Sequence, residues 1–202
     1  MCQINPTATQ ARARGRRFQR SAAAQPAIRH MLSSLAAYPH PLAYFNELVG
    51  GPRNGRNILG DSNLDWGQSV PELRRFLQDH PGGLILSYFG RDCPRESGLT
   101  YQEAFCTPGV CPGHSTALPT DIGQEWLAVG ATKWQGFYEY GPPSWGWLRS
   151  RKPVAVLGYA LLIYDLSKDA DAHTELAAMY DRAGISAVAA RERARAQFLK
   201  NE

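Results

Sequence analysis

The polar loop that follows residue 60 holds the residue types best suited to chemistry. Asp61, Asn63 and Asp65 alternate along it, as oxygen ligands do in a calcium-binding loop. Counting from Asp61, Glu72 occupies the twelfth position, where an EF-hand supplies its last carboxylate. The sixth position needs glycine for a sharp turn, but Trp66 stands there. The pattern is therefore only a partial match to a divalent-cation site, and we predict no cofactor.

This loop has a structural interpretation and a functional one. Its polar side chains can satisfy backbone amides and cap the helix that follows. It also follows a predicted strand, Asn57–Gly60, and open α/β sheets place their sites at the carboxyl ends of strands. We predict a binding loop here and assign no catalytic residue. The candidate residues are Asp61, Ser62, Asn63, Asp65, Trp66 and Gln68.

The elements around the loop predict an α/β fold, a small mixed sheet flanked by helices. The apolar runs are short and nearly continuous, which is typical of buried strands. Residues 90–122 are rich in Gly, Pro and Cys and predict a long irregular excursion. The expected strands are Asn57–Gly60, Leu84–Phe89, Glu125–Lys133, Val154–Leu157 and Leu161–Leu166, and the expected helices lie near residues 69–79 and at Ser144–Arg149.

Apolar residues recur at largely helical spacing between residues 27 and 49, where Pro39 and Pro41 interrupt them. This pattern predicts an N-terminal kinked helix made of two short pieces. Its apolar residues are Ile28, Met31, Leu32, Leu35, Leu42, Phe45 and Leu48.

The end of the chain predicts a helical hairpin, Asp169–Tyr180 and Ile185–Leu199, divided at Gly184. Its pattern of small and large residues matches a single tetratricopeptide-like repeat, except that Arg193 stands where a large apolar residue is expected. One repeat cannot form a solenoid. The hairpin either covers the sheet or ends a longer array. The matching residues are Leu176, Ala177, Tyr180, Gly184, Ala189 and Ala196.

Charge divides the chain of 202 residues unevenly. Residues 1–30 hold six arginines and no acid, whereas the remainder is slightly acidic. An arginine-rich start can bind nucleic acid or lipid, or act as a transit peptide. We predict instead a disordered basic leader at 1–26 and no nucleic-acid partner. The α/β domain is then expected at 27–167 and the hairpin at 168–202.

The sequence shows no secretory signal and no apolar run long enough to span a bilayer.

Three cysteines, Cys93, Cys106 and Cys111, lie close together and near His114. A disulfide between two of them, free thiols, or a zinc site are all compatible with this spacing. The spacing lacks the close cysteine pair of common zinc sites, so we predict no metal here.

Residues 38–77, YPHPLAYFNELVGGPRNGRNILGDSNLDWGQSVPELRRFL, resemble a segment of bacterial polytopic glycosyltransferases. These belong to the dolichyl-phosphate-mannose-protein mannosyltransferase-like group of the GT-C superfamily. In such proteins the segment follows the last transmembrane helix and opens a soluble C-terminal domain outside the cytoplasm. The strand LILSYFG and the run RSRKPVAVLGYALLIYDLS agree, so the resemblance covers about residues 30–167.

The resemblance implies an accessory domain that is related to these glycosyltransferases but lacks their catalytic part and is inactive alone. The family transfers a sugar from a polyprenyl-phosphate donor, and its catalytic acid lies between transmembrane helices that have no counterpart in this sequence. It implies a membrane-associated, extracytoplasmic chain whose partners are the membrane surface, a membrane glycosyltransferase portion, or a polyprenyl-phosphate sugar or glycan. It also favours a disulfide among the three cysteines and places residues 27–49 at the membrane surface.

Two other functions remain open from the residues alone. One is a protein-interaction module that docks helices through its tetratricopeptide-like tail. The other is a metal-dependent enzyme that uses Asp61, Asp65 and Glu72.

Overall fold

A computed structural model of the chain describes residues 28, 31–35, 38–60, 64–90, 93–105, 117–137 and 145–202. Within these residues it contains a five-stranded mixed sheet with helices, which confirms the predicted α/β fold. The strands are β1 (Gly83–Ser87), β2 (Gln102–Glu103), β3 (Glu125–Gly130), β4 (Ala155–Leu157) and β5 (Leu161–Asp165). The α-helices are α1 (Val70–Asp79), α2 (Ala131–Trp134), α3 (Ala170–Arg182) and α4 (Ser186–Asn201), and the 3-10 helices are Pro41–Ala43, Glu47–Val49, Pro52–Asn57 and Gly146–Ser150.

The strands are ordered β2-β1-β3-β5-β4 across the sheet. β1 runs parallel to both β2 and β3, whereas β5 runs antiparallel to β3 and β4. The carboxyl ends of β1 and β3 therefore meet at the same end of the sheet. Strands β4 and β5 form a hairpin, in which the Ala160 amide donates to the Leu157 carbonyl at 3.1 Å. Gly158 and Tyr159 both have positive φ, as a type I′ turn requires.

Both faces of the sheet are buried. Leu127 and Val129 of β3 point into a core shared with α3 and α4, while Trp126 and Ala128 point into a second core under α1. Every residue of β1 and β3 is buried, which explains their almost uninterrupted apolar sequences. The sheet is thus the middle layer, and its strand ends position the candidate site.

One predicted strand does not form, and one predicted strand boundary is wrong. Residues 57–60 form no strand, because the chain turns there through the 3-10 helix Pro52–Asn57. Gly55 allows this turn to pack closely, since a Cβ at that position would collide with the ring of Phe45. Strand β3 ends at Gly130 rather than Lys133, and the next residues form α2.

The C-terminal helical hairpin is confirmed, and it covers the sheet. Gly184, at φ +73°, lies between α3 and α4. Asp169 begins α3 by accepting the Ala172 amide at 2.8 Å, and Arg151 donates two hydrogen bonds to the same carboxylate. The other residues of the repeat-like pattern are buried: Leu176, Ala177, Tyr180, Ala189 and Ala196.

A buried ionic network joins these two helices to β3. Its members come from the first residue of β3, from α3 and from α4, and none is more than 7% exposed. Two carboxylates face two guanidinium groups and one imidazole. Charged residues are rarely buried without partners, so the network constrains how the helices sit on the sheet. The members are Glu125, His173, Arg191, Glu192 and Arg195.

The contacts of the network are short. His173 Nδ1 lies 2.7 Å from Glu192 Oε2, and its Nε2 lies 3.4 Å from Glu125 Oε2. Arg191 NH1 lies 2.7 Å from Glu125 Oε1 and 3.0 Å from Glu192 Oε1. The first Arg191 contact is an ion pair by distance but is not aligned as a hydrogen bond, so Glu125 Oε1 has none. Arg195 lies 3.3 Å from Glu125 and donates to the Ser167 carbonyl at 3.0 Å.

Arg195→Met should lower the free energy of unfolding by about 3–5 kcal/mol, because it removes a buried guanidinium and leaves the Glu125 carboxylate less compensated. Arg193→Met is the matched control on the same helix. It breaks an exposed ion pair with Asp181 and should cost less than about 1 kcal/mol. Urea unfolding of both variants measures the difference, and equal losses would contradict a stabilising role for the buried network.

Candidate functional site

The candidate loop lies at the carboxyl ends of β1 and β3, although residues 57–60 just before it form no strand. Asp65 approaches the last residue of β3 so closely that a Cβ on Gly130 would come within 2.5 Å of Asp65 Oδ2. The same position is 3.6 Å from the Ser87 carbonyl at the end of β1. Asp61, Ser62 and Asn63 lie outside the described residues.

Gln68 and Asp65 close the loop through hydrogen bonds to its own backbone. Gln68 Oε1 accepts the Trp66 amide at 2.8 Å, and Gln68 Nε2 donates to the Leu64 carbonyl at 2.8 Å. Asp65 Oδ1 accepts the Gly67 amide at 3.1 Å, which is the arrangement of an Asx turn. The Gln68 and Asp65 side chains thus fix the loop's shape, while Trp66 stays exposed beside the Phe89 ring.

Asp65 is the most perturbed carboxyl group at this end of the sheet. It is only 3% exposed, and Oδ2 has no hydrogen-bond partner. Burial raises its pKa to about 7, against the opposing effect of backbone amides at Gly67, Thr132 and Ala131. A carboxyl group whose pKa is raised this far by burial is typical of functional sites.

Ionisation of Asp65 should make the protein less stable as pH rises. The ordinary pKa of this carboxyl is 3.8, and in the folded chain it is about 7. Between these two pH values the folded chain keeps a proton that the unfolded chain has lost. The free energy of unfolding should then fall by up to about 4 kcal/mol across this window, at about 1.4 kcal/mol per pH unit.

Asp65→Asn removes the titrating group while keeping an oxygen for the Gly67 amide. Its stability relative to wild type should increase between about pH 4 and about pH 7, as measured by urea unfolding. A stability difference that stays constant over this range would contradict the elevated pKa.

Of the four candidate cation ligands, only Asp65 and Glu72 lie among the described residues. Glu72 Oε1 lies 2.6 Å from His40 Nε2, so it pairs with the 38–40 segment. Within the residues that the structure describes, no three side chains of His, Cys, Asp or Glu are grouped as metal ligands. Asp61 and Asn63 lie outside the described residues.

Cys93 is disulfide-bonded. Its partner lies outside the described residues, as do Cys106 and Cys111. The bond links the segment after β1 to another part of the chain, which restricts the unfolded ensemble.

A basic cleft lies beside the loop, and sequence reasoning did not predict it. It has a volume of about 540 Å³ and lies between the 3-10 helix Pro52–Asn57, the segment around His40 and the β4–β5 turn. The helix contributes Arg53 and Arg56, and the turn contributes Tyr159. The spacing of the two arginines was the available signal, but it indicates a shared face only once the 3-10 conformation is known.

No family model, curated protein or solved structure matches this chain. In the part of the chain that is described, no helix has both the length and the apolarity needed to cross a bilayer.

Proposed function

We propose that this chain is an accessory extracytoplasmic domain that rests on a membrane surface. It resembles the C-terminal part of polyprenyl-phosphate-sugar-dependent membrane glycosyltransferases and is inactive alone. The DSNLDWGQ motif and its surroundings support this proposal through the resemblance. The observation that carries membrane docking is an apolar helical stripe exposed on the protein.

The stripe belongs to the first described helical residues, Ile28 and 31–35. Its apolar side chains stand at positions i, i+3, i+4 and i+7, which places them on one helical face. That face is turned away from the core, since each of its side chains is between 54% and 68% exposed. An amphipathic helix with an uncovered apolar face is suited to the headgroup region of a bilayer. The stripe consists of Ile28, Met31, Leu32 and Leu35.

Further exposed apolar residues follow the stripe along the chain. Among the described residues, most of the exposed large apolar side chains fall between Ile28 and Leu59, and the others are scattered singly. The hydroxyl of Ser33 donates to Tyr44 at 3.2 Å and connects the helical residues to the following segment. The additional exposed residues are Tyr38, Leu42, Leu48, Ile58 and Leu59.

Not every apolar residue of this segment is available to a membrane. Phe45 is only 8% exposed and packs against Gly55 within the core. The aromatic ring at position 45 therefore supports the fold, and membrane contact is assigned to the aliphatic residues before and after it.

The alternative function, an interaction module that uses the helical tail, has less support. The apolar residues by which a tetratricopeptide-like hairpin would stack on a neighbour are buried in the same core as the sheet. Recognition of a partner helix through that face would require the ionic network to open.

Replacing both Leu32 and Leu35 with Ser should weaken binding to phosphatidylcholine–phosphatidylglycerol vesicles at least about tenfold. Each methylene withdrawn from an apolar environment costs about 0.8 kcal/mol, and about 1.4 kcal/mol corresponds to a factor of ten. Flotation of the full chain with vesicles measures the bound fraction. Because both side chains are exposed, the melting temperature should stay close to that of wild type.

The matched control replaces Ile185 and Phe198 with Ser. These residues are 41% and 42% exposed and lie at the start and near the end of the last helical segment. Their replacement should leave flotation unchanged. Equal binding by both double variants, or no flotation of the wild-type chain, would overturn the proposal.

A further inference from the structure

We propose that the basic cleft beside His40 binds a phosphoryl group. Two guanidinium groups, an imidazole and two phenol rings converge on a cavity large enough for a small anionic ligand. The residues that define it are Tyr38, His40, Arg53, Arg56, Gly158 and Tyr159.

The two arginines share one face because of the local backbone. Arg53 and Arg56 are three residues apart in a 3-10 helix, which has three residues per turn, so their side chains emerge on the same side. Arg56 NH1 also donates to the Arg53 carbonyl at 3.1 Å, which draws its head toward Arg53. The helix itself is anchored by Gln135 Nε2, which donates to the Arg56 carbonyl and, at 2.9 Å, to the Leu59 carbonyl.

Among the described residues, no acid neutralises the positive charge of the two arginines. Neither guanidinium lies within ion-pair distance of a carboxylate in this part of the chain. Glu72, which approaches the cleft wall, is instead paired with His40. Guanidinium groups offer paired donors that match the oxygens of a phosphoryl group, and two of them favour a doubly charged anion over a single carboxylate.

The opposite wall is tightly packed. Gly158 packs so tightly that a Cβ there would collide with Ser69 Oγ and come within 3.1 Å of the His40 ring. Ser69 Oγ donates to the Leu157 carbonyl at 3.2 Å and holds the turn. Tyr159 is kept at φ +62°, a conformation that bulky residues rarely adopt, with its ring 5.9 Å from that of His40.

Two sources can supply the phosphoryl group. One is a lipid headgroup, because Tyr38 lies both in the cleft and on the exposed apolar surface, at 81% exposure. The other is a free phosphorylated molecule. Binding of a free anion does not require membrane docking, so this inference stands apart from the proposed function.

Isothermal titration of the full chain with inorganic pyrophosphate tests the site in solution, with acetate as the singly charged comparison. Flotation with phosphatidylcholine vesicles, with and without phosphatidic acid, tests the lipid source. The variants are Arg53→Gln and Arg56→Gln, and the control is Arg182→Gln, which removes an exposed arginine from the end of α3. Thermal unfolding verifies that each variant is folded.

Each cleft variant should weaken whichever effect the wild type shows, pyrophosphate binding or the increase in flotation caused by phosphatidic acid, at least about tenfold. Arg182→Gln should match wild type in both measurements. Binding of pyrophosphate without a phosphatidic-acid effect supports a free ligand, and the reverse supports a headgroup. Absence of both effects in wild type, or equal losses in all three variants, would overturn the site. If pyrophosphate still binds but flotation does not depend on Leu32 and Leu35, membrane docking is overturned and the phosphoryl site is not.

Discussion

The arrangement of the protein depends on the charges buried between the sheet and its last two helices. Glu125, at the start of β3, is approached by side chains from both α3 and α4 and has almost no contact with solvent. An isolated charge there would be very costly, so the hairpin can close over the sheet only when His173 and the two arginines meet the carboxylates. The contacts of this network therefore restrict how the two helices can lie on the sheet.

With that face of the sheet covered, the remaining chemistry gathers where β1 and β3 end. The loop around Asp65 closes on itself there, and Ser69, just beyond it, touches the β4–β5 turn that forms one wall of the basic cleft. The opposite wall and the exposed apolar stripe come from the chain before residue 60. A surface that combines uncovered aliphatic side chains with the guanidinium groups of Arg53 and Arg56 matches the two components of a membrane interface, hydrocarbon and phosphate.

Local sequence patterns correctly predicted two kinds of element. One kind is a strand that is buried on both faces, and the other is a helix boundary that a single residue type determines. The apolar run at Leu84–Phe89 and the division at Gly184 are examples. Residues 57–60 misled the prediction because their conformation depends on Gly55 packing against Phe45, ten positions earlier. The charges of α4 are typical of a solvated helix, and only the tertiary fold brings Arg191 and Arg195 to Glu125. Likewise Asp65 was predicted as a loop residue, but its burial, and with it the elevated pKa, depends on α2 and β3.

Hydrogen exchange of the full chain, with and without phosphatidylcholine–phosphatidylglycerol vesicles, tests most directly whether this surface meets a membrane. Amides between residues 31 and 59 should exchange more slowly when vesicles are present, because the bilayer withdraws them from water. Amides of α4, residues 186–201, should exchange at the same rate in both samples. Unchanged exchange between residues 31 and 59, or equal protection of α4, would contradict the account.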